Sequence, residues 1–216
     1  MRYPIAERFK AVQGEGLYAG TPMAFIRTVG CSVGHTVCTA CDTQFDKTYP
    51  ELGGGLYTVE ELVAWVGDYA HVCLTGGEPL DRDLRPLIFA LGHRLCHVET
   101  SGTTRPEWLG DDDGDHWSDT PVQLWVCVSP KPGYRDDIIA LADEVKVIAG
   151  GLGDGPGWPT IEDAVRWADS GKLVYVQQRN EVKTIDRRAL DEVLGIVDRY
   201  PQLRLSCQLH KFLGVR

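Results

Sequence analysis

Cys31, Cys38 and Cys41 crowd one Gly- and Thr-containing stretch as C-x6-C-x2-C, followed directly by Asp42 and Thr43. Three thiolates can hold a cubane iron-sulfur cluster and leave one iron without a protein ligand, a site open to a chelating cofactor. The same stretch carries His35, and Cys31, His35, Cys38 and Cys41 also make a Cys3His set whose short spacings suit a structural zinc ion. The spacing alone leaves both fillings open. The other four cysteines, Cys73, Cys96, Cys127 and Cys207, sit in apolar, strand-like runs and read as core residues. Seven is an odd number, and their placement is not that of a disulfide framework, so a reducing cytosol is the expected setting.

The elements that must position this chemistry alternate along the chain. Short runs rich in β-formers recur at Ala24 to Val29, His71 to Leu74, Leu95 to Val98, Val122 to Val128, Glu144 to Ile148, Leu173 to Val176 and Leu203 to Leu209. Between them lie helical stripes. Val59, Leu62, Val63 and Val66 follow the helical spacing, with Thr58 and Glu61 as a capping box. Further stripes fall at Leu84 to Leu91, Ile138 to Leu141, Ile161 to Trp167 and Leu190 to Val197. Gly53 to Gly55 and Gly150 to Gly157 read as connections. Strand–helix alternation predicts a mainly parallel sheet with crossover helices. The stretch from Gly102 to Thr120 is too polar for a good crossover helix, so an incomplete (β/α) barrel is expected, as one domain over residues 1–216.

Nearly every predicted strand ends in polar or reactive groups, and in a parallel sheet such ends share one face. Thr75-Gly76-Gly77-Glu78-Pro79 follows the second predicted strand: its glycines admit close backbone approach, Glu78 can hold the turn or accept from an ammonium, and Pro79 stops the strand. Glu99-Thr100-Ser101-Gly102 and Ser129-Pro130-Lys131 end the third and fourth, Gln177-Gln178 the sixth, and Gln208 with His210 the last. Near the start stand Val12-Gln13-Gly14-Glu15-Gly16 and then Arg27. Singly, each of these is more often a turn or surface residue than a ligand. Together with the cysteines they resemble the 7-carboxy-7-deazaguanine synthases of the radical S-adenosylmethionine (SAM) superfamily. The likeness runs from Val12 to the closing segment Gln208 to Arg216, although the first cysteine gap is longer than the superfamily's usual three residues.

The resemblance implies a modified partial (β/α) barrel, typically a homodimer. It implies a 4Fe-4S cluster on Cys31, Cys38 and Cys41, a magnesium ion at Thr43, and SAM contacts from Asp42, Gly76, Gly77, Glu78, Ser101, Ser129, Pro130, Lys131 and Gln177. For the substrate it implies Val12, Gln13, Gly14, Glu15, Arg27, Thr75, His210 and Arg216, with Arg27 suited to bidentate capture of a carboxylate. No side chain is singled out as acid, base or nucleophile. The implied reaction converts 6-carboxy-5,6,7,8-tetrahydropterin to 7-carboxy-7-deazaguanine with release of ammonia, toward queuosine and related deazapurines, fed by an external electron donor.

Bulk properties agree with a small-molecule enzyme. The chain has 216 residues, 43% of them hydrophobic, enough for one substantial core. With 22 Lys and Arg against 31 Asp and Glu, the formal charge of -9 gives no footprint for nucleic acid. No signal-peptide pattern and no apolar run of membrane-spanning length is present, so a cytoplasmic protein is expected. Two other classes share some features. A radical-SAM activase of a glycyl-radical enzyme would share the cysteines and a Gly-Glu-Pro segment, and a zinc-binding interaction module would need the cysteines alone.

Overall fold

The computed structural model describes residues 1–35, 37–38, 41, 43–108, 123–149, 155–178 and 186–214. Among the described residues, nine strands hydrogen-bond in the order β3-β1-β2-β4-β5-β6-β7-β8-β9, with β3 and β9 at the two ends. The fold is mixed α/β, and the sheet is mainly parallel and open, as a partial barrel requires. By their contacts the residues group into two compact units: one holds residues 1–11, 22–100 and 104–126, the other 12–21, 101–103 and 127–216.

In the first unit, β1 (Arg2–Val12, of which Val12 belongs to the second unit) pairs antiparallel with β3 (Gly55–Thr58), Tyr3 opposite Tyr57 and Ile5 opposite Gly55. β2 (Pro22–Thr28), β4 (His71–Gly76) and β5 (Leu95–Thr100) run parallel. Met23, Ala24, Phe25 and Ile26 are consecutive and all buried, the continuous apolar reading of a strand covered on both faces. Helix α1 (Val59–Val66) opens on the expected box: Thr58 Oγ1 accepts from Glu61 N at 3.2 Å, and Thr58 N donates to Glu61 Oε2 at 2.8 Å. It buries Leu62 and Val66 and packs beside α2 (Arg85–Leu91), which buries Leu87, Ile88 and Leu91.

In the second unit, β7 (Glu144–Ile148), β8 (Leu173–Gln177) and β9 (Arg204–Ser206) are parallel and joined to the end of β6 (Gln123–Val128). Short α3 (Asp136–Leu141) buries Ile138 and Ile139. α4 (Ile161–Asp169) starts on a Thr160–Asp163 capping box, and α5 (Arg187–Arg199) starts on Asp186, whose side chain accepts from Arg188 N and Ala189 N.

Three sequence expectations need correction. β1 has no counterpart in the predicted strands, because Glu7, Arg8 and Lys10 interrupt its apolar alternation. In the structure the Arg8 guanidinium lies 4.0 Å from the centre of the Tyr57 ring and Lys10 Nζ 4.9 Å from that of Tyr69, so these cations lie on aromatic faces. Gly55 opens an edge strand instead of lying in a connection. The last predicted strand shrinks to Arg204–Ser206, and Leu209 begins helix α6 (Leu209–Leu213), closed by Gly214 at φ +66°. The first predicted strand is therefore β2. Among the described residues, no helix is long and apolar enough to cross a membrane.

Candidate active site

In the first unit, parallel register sets two strand exits side by side. Arg27 is the Cα partner of Thr75 and Thr28 that of Gly76, so the cysteine loop leaving β2 and the glycine turn leaving β4 start together. The turn is locked to the loop: Glu78 N donates to Gly30 O at 3.1 Å, and a Cβ added at Gly77 would lie 1.9 Å from Gly30 O and 2.6 Å from Cys31 Cβ. Only glycine fits this approach. Glu78 is fully buried, and its Oε1 accepts from Leu80 N at 3.0 Å and Thr100 Oγ1 at 2.7 Å, so of its two expected roles it performs the holding of the turn. Asp81 accepts from Ser32 N at 2.8 Å and from Ser32 Oγ at 2.9 Å, and Arg82 donates to Val29 O at 2.6 Å. The chain on both sides of Cys31 is therefore clamped.

All three loop cysteines are outside disulfides and partly exposed. Cys41 N donates to Cys38 O at 3.0 Å, and Cys38 N to Gly34 O at 3.1 Å, folding the second half of the loop on itself. Burial pushes the Cys31 thiol up; the Gly34 and Val33 amides oppose this, and the Glu78 and Asp81 charges reinforce it. A metal-free Cys31 thus keeps its proton and would surrender it on ligation. His35 stacks on Phe45 with ring centres 4.7 Å apart. Among the described residues, no group of three or more His, Cys, Asp or Glu is arranged to hold a single metal ion. Three cysteines on one loop, beside a backbone cradle that a methyl would fill, are by donor type those an iron-sulfur cluster takes.

Arg27 is held in place by its neighbours. Its Nε lies 2.8 Å from Glu7 Oε1, its NH1 donates to Thr43 Oγ1 at 3.1 Å, and its guanidinium lies over Phe9, which stacks on Phe25. Thr43, the expected magnesium ligand, is thus held beside Arg27. Asp42 and Arg216 lie outside the described residues.

In the second unit, Gln13 Oε1 accepts from Gly14 N at 2.8 Å and Glu15 N at 3.2 Å, so this expected substrate group shapes its own loop. Glu15 is the hub. Its Oε2 accepts from Lys146 Nζ at 2.8 Å, and its Oε1 from Gln208 Nε2 at 2.8 Å and Gln177 Nε2 at 3.1 Å. Burial alone would push the Glu15 carboxyl up, but the Lys146 charge and hydrogen bond, the Gln208 amide and the His210 charge outweigh it and hold it at about 2. Gln177, read as an adenosine contact, ends β8 with its amide donating to Glu15 and its carbonyl accepting from Ser206 Oγ at 2.8 Å. His210 packs against the loop: a Cβ at Gly14 would lie 1.9 Å from its Nδ1, and Leu209 N donates to Gly14 O at 2.8 Å. Val12 ends β1.

The two hydroxyl segments also meet. Lys131 N donates to Ser101 O at 3.2 Å, and Lys131 Nζ donates to Ser129 O at 2.8 Å and Ser129 Oγ at 2.7 Å, with Pro130 buried between them. Ser101 Oγ lies 2.9 Å from Thr103 Oγ1. Sequence reasoning missed Lys146, Glu144 and Glu7. Lys146 is 4% exposed and Glu144 3%, and Glu144 Oε2 accepts from Leu17 N at 2.9 Å. The available signal was two charges at alternate positions of Glu-Val-Lys-Val-Ile, inside a strand whose neighbours demand burial on both faces.

No family model matches the chain. Among curated proteins, the 7-carboxy-7-deazaguanine synthase of Synechocystis sp. is 38% identical over 221 residues, covering 99% of this chain and 94% of the relative. Those of Burkholderia multivorans and Escherichia coli K12 are 32% and 30% identical, each covering 100% of both chains. The crystal structure of QueE from Escherichia coli superposes with a TM-score of 0.69 at 27% identity, covering 97% of this chain and 95% of that one. Full-length likeness to synthases leaves the activase and the zinc module without support.

Proposed function

Since the chain belongs to the 7-carboxy-7-deazaguanine synthase family, we propose that it converts 6-carboxy-5,6,7,8-tetrahydropterin to 7-carboxy-7-deazaguanine and ammonia as a radical SAM lyase. Substrate and product differ by one ammonia, so the ring contraction needs no net oxidant. The observation that carries the reading is the cysteine loop clamped onto the Gly76-Gly77-Glu78 turn at Gly30 and Cys31.

In this reading Cys31, Cys38 and Cys41 would hold the 4Fe-4S cluster, and Gly76 and Gly77 would let the SAM amino acid portion lie against bare backbone. When bound, the cluster and SAM would supply the radical chemistry that removes hydrogen from the substrate. Glu78 keeps the turn rigid from beneath through Leu80 and Thr100. Ser101, Ser129 and Lys131 would serve the polar parts of SAM. Arg27, braced by Glu7, would hold the substrate carboxylate, with Thr43 offering its hydroxyl to magnesium, a cation that takes oxygen ligands. Gly14, Glu15, Thr75 and His210 would orient the ring, so that hydrogen leaves only the carbon bearing the carboxylate. A homodimer and an external electron donor complete the proposal, in the cytoplasm.

The test is anaerobic reconstitution with iron and sulfide, then SAM, reductant, magnesium and the carboxytetrahydropterin. Formation of the deazapurine without net consumption of SAM is expected. Brown, cluster-loaded protein that leaves SAM intact with and without the pterin would overturn the assignment.

A further inference from the structure

Lys146 is almost wholly buried, in the middle of β7, and is not among the residues that the family likeness singles out. Its ammonium meets the Glu15 carboxylate at 2.8 Å. Glu15 in turn accepts from Gln177 and Gln208 through its other oxygen. An ionised carboxylate offers about four acceptor sites on its two oxygens. Three are filled from three separate elements: β7, β8 and the residue that caps α6. Among the described residues, Oε2 accepts from Lys146 alone.

The supports are themselves fixed. Ser206 Oγ donates to Gln177 Oε1 at 2.8 Å, which turns the Gln177 amide toward Glu15, and Gly16 N donates to Ser206 Oγ at 3.2 Å, closing the ring of contacts onto the residue next to Glu15. His210 faces the same loop across Gly14. A buried carboxylate compensated by a buried ammonium is neutral as a pair. It therefore has no need of a cationic ligand, and its remaining acceptor suits a neutral N–H donor.

We propose that Lys146 is a positioning residue for substrate recognition: acting through Glu15, it keeps that carboxylate ionised with a single acceptor aimed at a ring N–H of the pterin. This rests on the synthase reading above and deepens it. A lysine that served only to pin the loop would lower stability and leave the folded protein's affinity for the pterin unchanged.

Equilibrium binding of 6-carboxytetrahydropterin to the anaerobic, cluster-loaded protein separates these roles. Lys146→Met is expected to weaken binding on the order of tenfold or more, and Lys146→Arg to recover part of the loss. In a Glu15→Gln background, adding Lys146→Met is expected to cause no further loss, because the charge through which the lysine acts is already gone. Should Lys146→Met alone fail to fold, the comparison of Glu15→Gln with the double variant still decides. Wild-type affinity in Lys146→Met, or an equal additional loss in the Glu15→Gln background, would overturn the lysine's role and leave the synthase reading intact. Wild-type protein that cleaves SAM but does not bind the pterin would overturn both.

Discussion

Replacing Gly77 by alanine tests the clamp between the glycine turn and the cysteine loop. The new methyl would sit 1.9 Å from Gly30 O, where ordinary contact begins near 3.4 Å. Something must move by about 1.5 Å, and the obstacle is backbone, with Cys31 Cβ at 2.6 Å as the second barrier. Relief therefore drags the first cysteine out of register and stretches the bond from Glu78 N to Gly30 O. Overpacking of this kind costs about 1–3 kcal/mol, and the weakened hydrogen bond about 1 kcal/mol more. At this chain length each kcal/mol lowers the Tm by about 2–4 °C, so a fall of about 4–16 °C is expected in the metal-free protein. The same displacement should leave the reconstituted variant with substoichiometric iron and sulfide. Gly195→Ala is the control: it lies in α5 with nothing within 4 Å of an added Cβ, and it should stabilise by about 0.5–1 kcal/mol. If Gly77→Ala melts within a degree of wild type and loads a full cluster, the steric reasoning is wrong.

Cys38→Ala should abolish reductive SAM cleavage while the metal-free fold, followed by circular dichroism, is retained; residual cleavage at the wild-type rate would remove Cys38 from the ligand set. Arg27→Ala should lower pterin affinity on the order of tenfold or more with iron content unchanged, since the arginine is placed for a carboxylate and not for the cluster. His97, buried with a ring nitrogen 3.0 Å from one of half-buried His71, makes stability depend on acid: burial and then the His71 charge lower the His97 value from 6.5 to about 3. Because the unfolded chain binds this proton more readily, the contribution is complete above pH 6.5 and is lost as pH falls toward 3, by up to ~4 kcal/mol. Urea unfolding of His97→Gln across that range should show a visibly shallower acid slope than wild type, and identical slopes would refute the assignment.

How much of this was legible in the sequence varied with the physics of each segment. α1 was legible because its cap and stripe are local, and β7 because five residues of uninterrupted β-forming character have one plausible conformation. β1 was not, since its charges are accommodated by aromatic rings from β3 and α1 that no local window contains. Within the site, Arg27 and the cysteines stood out by type and spacing. What the sequence could not show was which polar groups spend their hydrogen bonds on the protein: Gln13 on its own loop, Gln177 on Glu15, and Glu78 on the turn. The Gln177 choice is long-range, made with a partner 162 residues away. Lys146 escaped for a related reason, because a lysine inside a parallel strand looks like an interruption until its partner, 131 residues earlier, is known.

That separation has a consequence for the order in which the molecule is made. The loop carrying Glu15 is anchored by Glu144, Lys146, Ser206 and Leu209, up to about 190 residues further on. During synthesis from the amino end this loop emerges well before the partners that hold it. A ribosome-bound chain can assemble β2, β4 and β5 early, while the Glu15 carboxylate waits in water until the last strand and helix arrive. Competence to recognise a ligand through that carboxylate is therefore gained in one late step, and a chain cut short before Ser206 would lack it however well its earlier half had folded.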